Sequence, residues 1–174
     1  TNIWVSTANG IHTASINSTT FTTLSTTNTR QAFIYNGQLY ASGSTDLSTV
    51  GNGLPTSAGQ TFSIIVTGLT APFQYFICKV SGTDVLYIGD FGSASTGAIR
   101  KYYYNGSSWT SVNSVLIANV MGITGTVSGS SVKISYITGS GSASVLNTFT
   151  DAAGPTSSFS IGTPSTVSCA TNYT

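Results

Sequence analysis

Turns that contain glycine, set between short alternating runs, constrain the fold more than any other feature of this sequence. In these runs apolar and polar residues alternate, and two to four residues with a glycine separate one run from the next, which is typical of β-hairpins. Five hairpins are predicted in this way, over residues 3–16, 32–42, 75–90, 101–112 and 120–138. Glu is absent, and no segment keeps apolar residues at helical spacing over three turns. The sequence therefore predicts an all-β protein.

The spacing of the turns predicts a repeat. Gly37, Gly82 and Gly129 are 45 and 47 residues apart, while Gly10 precedes Gly37 by 27 residues and Gly106 precedes Gly129 by 23. A repeat of about 40–50 residues with four strands has the size of a β-propeller blade. We therefore predict a single β-repeat domain over residues 1–174, a β-propeller-like meander of four-stranded blades. The blades are a partial one at 1–28 and three at 29–71, 72–118 and 119–174.

About three and a half blades form an incomplete propeller, because closed propellers usually contain four to eight blades. Strand edges and one apolar blade face then need cover from a longer parent chain, a second copy of this chain or a strand donated by a neighbour. An alternative all-β fold is a β-sandwich with a donated strand, as in pilin-like fibres. That fold predicts that Thr1 to Val5 or Ser165 to Thr174 lies extended outside its own domain.

Charge is almost missing from the chain. Charged residues make up 5% of the sequence and the net charge is +1, whereas ordinary globular proteins contain about 25% charged residues. Ser and Thr take their place, with 28 and 29 residues. Five Lys and Arg residues are too few to neutralise nucleic-acid phosphates, and no apolar run approaches the ~18–20 residues that span a bilayer. We expect no nucleic-acid partner, no membrane insertion and a surface that favours self-association.

Groups that perform catalysis or bind metals are few. The acids are Asp46, Asp84, Asp90 and Asp151, and His12 is the only histidine. Asp84 and Asp90 flank one predicted strand and would lie about 20 Å apart, too far to act as a carboxylate pair. We interpret them as Asx-type caps of turns and strand ends. His12 has no nucleophile motif beside it, and no zinc-ligand spacing occurs. The sequence predicts no enzyme, no cofactor, and no catalytic or metal-binding residues.

Cys78 and Cys169 are the only cysteines. In an extracellular protein they are candidates for a disulfide that closes a loop of about 90 residues. The alternative is that Cys78 is buried in a strand while Cys169 is free or pairs outside the chain. Both alternatives are open from the sequence.

Candidate sugar sites are of two kinds. N-glycosylation sequons begin at Asn17, Asn105 and Asn172, a number that chance alone would give in a chain so rich in Asn, Ser and Thr. Tyr103 and Trp109 lie on the two arms of one predicted hairpin and form a candidate glycan platform. The alternative for the aromatic residues of this hairpin is cross-strand packing.

Several segments carry a resemblance to a known family. They are TNIWV at 1–5, NGQLY at 36–40, TVGNGLPT at 49–56, GQT at 59–61, DVLYIGD at 84–90, GAIRKY at 97–102 and GITGTVSG at 122–129. With them the sequence resembles a family of secreted, mostly bacterial, repeat β-propeller proteins of unassigned function, often found in larger extracellular proteins. The resemblance implies an architecture and an extracellular location, not an activity. Cys78 and Cys169 depart from the family pattern.

These observations lead to one expected function and one alternative. We expect a non-enzymatic, secreted or cell-surface module with a structural or adhesive role, a self-assembling subunit of a surface filament or matrix. Its partners would be further copies of itself or the rest of a larger parent chain. The alternative is a lectin-like propeller that binds carbohydrate through the platform of Tyr103 and Trp109.

Overall fold

The computed structural model describes residues 1–139 and 144–167, and this part of the chain contains strands and no helix. The strands are β1 (Asn2–Thr7), β2 (Gly10–Ser15), β3 (Thr22–Ser25), β4 (Gln31–Tyr35), β5 (Gln38–Ser42), β6 (Leu47–Val50), β7 (Phe62–Val66), β8 (Pro72–Val80), β9 (Thr83–Asp90), β10 (Ala98–Tyr104), β11 (Trp109–Leu116), β12 (Val120–Ser128), β13 (Ser131–Thr138), β14 (Val145–Asp151) and β15 (Ser165–Val167).

These strands form four antiparallel sheets. Sheet 1 has the order β1-β2-β3, sheet 2 β4-β5-β6-β7, sheet 3 β11-β10-β9-β8 and sheet 4 β12-β13-β14-β15, and none of them is closed into a barrel. The predicted all-β meander of three- and four-stranded sheets is confirmed. Sheets 1, 2, 3 and 4 cover residues 2–25, 31–66, 72–116 and 120–167, respectively. The assignment of these segments as blades of one domain stays a prediction.

The five predicted hairpins are present, and their turns show why the sequence placed them correctly. Asn36 and Gly37 have φ angles of 51° and 74°, and Ser81 and Gly82 have φ angles of 49° and 86°. A two-residue type I′ hairpin requires positive φ at both central residues. Glycine adopts this conformation without steric cost, and asparagine tolerates it better than most residues do. The chain therefore reverses direction at these dipeptides.

The chain divides into two compact units, Thr1–Pro72 and Phe73–Thr174. In the first unit, sheets 1 and 2 share a core, and Trp4 donates a hydrogen bond from Nε1 to the Pro55 carbonyl at 2.8 Å. Five fully buried residues form the centre of this core: Ile11, Leu24, Leu39, Ala41 and Val50. The core explains why the alternating runs of the first 66 residues form strands, since alternation places every second side chain on this inner face.

In the second unit, glycines allow sheets 3 and 4 to approach each other. A Cβ atom at Gly125 in β12 would collide with the Phe76 ring of β8, and a Cβ atom at Gly89 in β9 would lie 2.9 Å from Val120 Cγ1. Phe76 in turn stacks on Tyr87 with ring centroids 5.1 Å apart. The missing side chains thus make room for the Phe76 ring at Gly125 and for Val120 at Gly89.

The N-terminal segment does not extend away from its own sheet. Thr1 accepts a hydrogen bond from the Ile16 N–H at 3.0 Å, and Ile3 and Val5 pair with Ala14 and His12 across β1 and β2. This corrects the expectation of the donated-strand sandwich for residues 1–5. At the other end, β15 pairs with β14, and residues 168–174 lie outside the described part of the chain.

Candidate functional site

The outward face of sheet 1 is the candidate interaction surface, and its composition is unusual. Residues 1–29 contain all three strands of the sheet and no Asp, Glu, Lys or Arg. Alternation along β1 directs Trp4 to the core and Ile3 and Val5 to the other side. The side chains of Ile3 and Val5 are 49% and 48% exposed, and Phe21, just before β3, is 68% exposed. The face is therefore apolar, uncharged and open to solvent.

β1 is an edge strand, because it lies at the end of the strand order and has β2 as its one neighbour within sheet 1, with β4 of sheet 2 close to it. The hydrogen bond from Ile16 N–H to the Thr1 carbonyl sets the register, so Ile3, Val5 and Thr7 are the residues whose peptide groups bond to β2. The intervening residues, among them Trp4, direct their N–H and C=O groups away from β2. These groups can pair with a further strand.

His12 lies at the centre of the same face. Its Nε2 atom is 3.2 Å from Thr7 Oγ1 and its Nδ1 atom is 3.0 Å from Thr23 Oγ1. The Phe21 ring meets the imidazole edge-on, with centroids 5.0 Å apart. A groove of about 600 Å³ runs over these residues, bordered by Val5. Since hydroxyls both donate and accept hydrogen bonds, the imidazole is held in place by the sheet itself. These contacts give His12 a structural role in sheet 1.

A second candidate site is a buried ion cluster in the second unit. Three acids of this unit form ion pairs with cations, two between neighbouring strands of sheet 3 and one between sheets 3 and 4. The interpretation of Asp84 and Asp90 as turn caps did not predict these pairs. The pairs are Asp84 with Lys79 at 2.5 Å, Asp90 with Arg100 at 2.7 Å and Asp151 with Lys101 at 2.7 Å. The side chains of Lys101 and Asp151 are 0% and 1% exposed, whereas that of Lys79 is 53% exposed. Of these three pairs, Asp151 with Lys101 is the one in which both side chains are buried.

Strand register places Lys101 in a polar row across sheet 3. Its cross-strand neighbours are Tyr87 in β9 and Asn113 in β11, so the three side chains share one face. The Lys101 ammonium has three hydrogens and three acceptors: Asp151 Oδ2 at 2.7 Å, the Gly154 carbonyl at 2.5 Å and the Ser157 carbonyl at 2.9 Å. Every donor of the buried ammonium is therefore used.

The other members of the row bind the same segment, which follows β14. The Tyr87 hydroxyl donates to Asp151 Oδ2 at 2.6 Å, and the Ala153 N–H donates to Asp151 Oδ1 at 2.9 Å. The Asn113 side chain donates to the Phe159 carbonyl at 2.9 Å and accepts from the Phe159 N–H at 3.2 Å. The row thus fastens the segment from Asp151 to Phe159 onto sheet 3.

The electrostatics of this cluster change the acidity of its neighbours. Burial, and then the hydrogen bond and charge of Asp151, raise the pKa of Tyr87 well above its ordinary value. Burial, together with the charges of Asp151 and Asp84, raises the pKa of the Cys78 thiol to about 11. Both groups are therefore held in their neutral forms at neutral pH, which is the opposite of what an activated nucleophile requires.

Sequence reasoning missed this cluster. One signal was present, because alternation places Lys101 on the same side of β10 as the buried Ile99. A lysine at an inward position needs a buried acceptor. The identity of that acceptor was not visible, since Asp151 is 50 residues away in the chain.

The structure separates the two residues of the predicted glycan platform. Trp109 pairs with Tyr104, and their rings lie 5.6 Å apart with an interplanar angle of 57°. Tyr103 pairs with Thr110 and occupies the opposite face of the hairpin. The alternative, cross-strand aromatic packing, accounts for Trp109. A sugar platform at this hairpin stays a prediction, with Tyr104 in place of Tyr103 beside the indole.

Two of the three sequon asparagines are exposed. Asn17 lies in the turn after β2 with a φ angle of 68°. Asn105 organises the β10–β11 turn, because its Oδ1 accepts the N–H of Ser108 at 3.0 Å and its Nδ2 donates to Thr110 Oγ1 at 3.0 Å. A glycan attached to Asn105 Nδ2 would compete with the hydrogen bond to Thr110. Asn172 lies outside the described residues, and glycosylation stays a prediction at all three.

The disulfide stays a prediction as well. Cys78 is half-buried in β8, and Cys169 lies outside the described residues. Within residues 1–139 and 144–167, no group of three or more His, Cys, Asp and Glu side chains is placed to hold a metal ion. The same residues contain no helix with the length and apolarity needed to cross a membrane.

Comparison with known proteins adds no identity to this description. No protein-family model matches the sequence, and no curated protein matches it. The chain is an all-β protein with four antiparallel sheets of three or four strands, in which an uncharged open sheet face and a buried ion cluster are the two distinctive features.

Proposed function

We propose that the protein is a non-enzymatic structural or adhesive module of the cell exterior, and that copies of it associate through sheet 1. The observation that carries this proposal is the uncharged outward face of the sheet. Ile3, Val5 and Phe21 are about half exposed or more on this face, and β1 is an edge strand of the sheet.

The edge of β1 lacks the features that usually prevent association. Exposed edge strands are commonly protected by lysine, proline or a bulge. β1 has none of these, because its sequence is NIWVST and its pairing with β2 is regular. Two copies can pair β1 with β1 in antiparallel orientation about a twofold axis. The six-stranded sheet formed in this way would join the apolar stripes of Ile3 and Val5 from both copies.

Composition and resemblance support the extracellular location. A surface with 5% charged residues and 57 Ser and Thr residues has little charge repulsion between copies, and such surfaces suit assemblies better than freely diffusing proteins. The resemblance of the sequence to secreted repeat β-propellers of bacteria points the same way, and membership in that family is part of the proposal. A filament or matrix subunit is the role that these features favour.

The experiment compares self-association of the full chain and two matched variants by sedimentation velocity over a range of concentrations. Val5→Lys places a charge in the middle of β1, and Leu116→Lys places one at an exposed apolar position of β11, another edge strand. We expect the wild type and Leu116→Lys to associate and Val5→Lys to be monomeric. A monomeric wild type at all concentrations would overturn the proposal, and equal association of Val5→Lys would exclude β1 as the interface.

A second candidate function is glycan binding by the β10–β11 hairpin. The Tyr104 and Trp109 rings form a tilted pair with Tyr104 38% exposed, and the polar side chains of Asn105 and Thr110 are next to it. Aromatic faces beside amides and hydroxyls are suited to sugars. A glycan array tests this, with binding expected to be lost in Trp109→Ala and kept in Tyr103→Ala. An array without signal for the wild type removes this candidate.

A further inference from the structure

The Lys101–Asp151 pair has an environment that differs from that of an ordinary surface ion pair. Its two side chains are 0% and 1% exposed, and Tyr87, Phe149 and Phe159 form the aromatic surroundings of the carboxylate segment. Nζ and Oδ2 are 2.7 Å apart. The nitrogen and the carboxyl group are therefore in direct contact in a site enclosed by the fold.

We propose that Lys101 and Asp151 form an intramolecular amide cross-link after folding. A bond forms between Lys101 Nζ and Asp151 Cγ, and the Cγ–Oδ2 bond breaks. Two protons pass from Nζ to Oδ2, which leaves as water, while the third hydrogen stays on the amide nitrogen. Nothing is oxidised or reduced, and no co-reactant is needed, since the ammonium and the carboxylate together contain all the atoms of the amide and the water.

Contacts in the structure favour this reaction at Asp151. The Tyr87 hydroxyl donates to Oδ2 at 2.6 Å and the Ala153 N–H donates to Oδ1 at 2.9 Å, so both oxygens of the carboxyl group are polarised as in an oxyanion hole. The carbonyls of Gly154 and Ser157 hold Nζ beside the carboxyl group. Holding two reacting groups in contact makes the step effectively unimolecular.

The molecule contains its own comparison pair. Lys79 and Asp84 are as close together, at 2.5 Å, but Lys79 is 53% exposed. Water solvates that ammonium, and no enclosing contacts hold it against the carboxyl group, so this pair is not expected to react. Arg100 with Asp90 is excluded for another reason, since the guanidinium does not lose its proton in proteins.

Intact-mass spectrometry of the full chain tests the cross-link. The folded protein is incubated, then reduced and alkylated so that cysteine oxidation does not contribute to the mass. We expect a mass about 18 Da below that of the sequence, and a branched peptide that joins the segments around Lys101 and Asp151 after digestion. Chain kept in denaturant from the start should show the full sequence mass, because the two residues meet only in the fold.

Variants locate the bond. Lys101→Arg and Asp151→Ala are expected to show their full sequence masses, and Lys79→Arg is expected to keep the loss of water. Asp151→Asn should form the same amide with loss of ammonia, about 17 Da. Two results would overturn the proposal: a wild-type chain that stays at its full mass after prolonged incubation while folded, or a loss of water that persists in Lys101→Arg. This inference does not depend on the proposed self-association, which is tested by different variants.

Discussion

Replacing Lys101 by methionine is the perturbation that tests the buried cluster most directly. Methionine keeps much of the length and apolar volume of the side chain but removes all three donors. The Asp151 carboxylate and the carbonyls of Gly154 and Ser157 then lose a partner in a site closed to water. Removing one member of a buried ion pair typically costs about 3–5 kcal/mol. Against a typical domain stability of about 5–15 kcal/mol, this is a large fraction of the total.

The assay uses the two tryptophans of the chain. Trp4 belongs to the first unit and Trp109 to the second, so a Trp4→Phe background leaves a single fluorophore in the unit that contains the cluster. Urea unfolding followed by Trp109 fluorescence then reports the free energy of unfolding of that unit. The control is Lys79→Met, which removes an exposed ion pair and is expected to cost about 0–1 kcal/mol.

A double variant separates the pair from the packing around it. In Lys101→Met with Asp151→Ala neither charge of the pair is left buried, so we expect a smaller loss than the sum of the two single losses. The reasoning would be refuted by a Lys101→Met variant that loses no more stability than Lys79→Met. Strict additivity of the two single losses would refute it as well, because it would mean that Lys101 and Asp151 do not interact.

The remaining predictions concern packing and ionisation in the second unit. Gly125→Ala should lower the free energy of unfolding by about 1–3 kcal/mol, since its Cβ collides with the Phe76 ring; a neutral result in urea unfolding would contradict the close approach. With a pKa of about 11, Cys78 should be about 0.1% thiolate at pH 8. In a variant that has no other cysteine, iodoacetamide should therefore label Cys78 at least a hundredfold more slowly in the folded than in the unfolded state. Burial raises the pKa values of Tyr87 and Tyr102 in the folded state above those of the unfolded chain, so their contribution to stability is present below about pH 10 and is lost as the pH rises further. Absorbance at alkaline pH should accordingly show fewer ionised tyrosines in folded than in unfolded protein.

Local signals made the strands and hairpins predictable. Asn36-Gly37 and Ser81-Gly82 determine their turns through residues that are adjacent in the sequence, and alternation assigns each strand an inner and an outer face. Loop length is the first point that local reasoning left open, since it allowed turns of two to four residues. The Asn105 N–H bonds to the Ser108 carbonyl at 3.0 Å, so the turn has four residues and Tyr104 faces Trp109. The predicted platform had chosen Tyr103 instead.

The buried cluster was beyond sequence reasoning because its contacts are long-range. Asp151 and Lys101 are separated by 50 residues and meet only when sheets 3 and 4 pack. Their pairing depends on the register of β10 with β9 and β11, which aligns Lys101 with Tyr87 and Asn113. A one-residue shift of that register would turn the lysine to the other face. No local pattern in the sequence specifies which of the four acids it reaches.

The distribution of charge suggests different roles for the two units. Four of the five Lys and Arg residues lie after residue 72, and all three acids there are held in ion pairs, one of them fully buried. Sheet 1 relies on hydroxyls, the amides of Asn2 and Asn9, the His12 imidazole and peptide groups for its hydration, with no Lys, Arg, Asp or Glu. A hydroxyl hydrogen-bonds to a neighbouring strand as readily as to water, whereas a lysine loses hydration when a strand covers it. The composition that hydrates sheet 1 therefore adds no charge that would oppose pairing at the edge of β1. The second unit, which does not contain β1, is the one that holds the internal ion pairs.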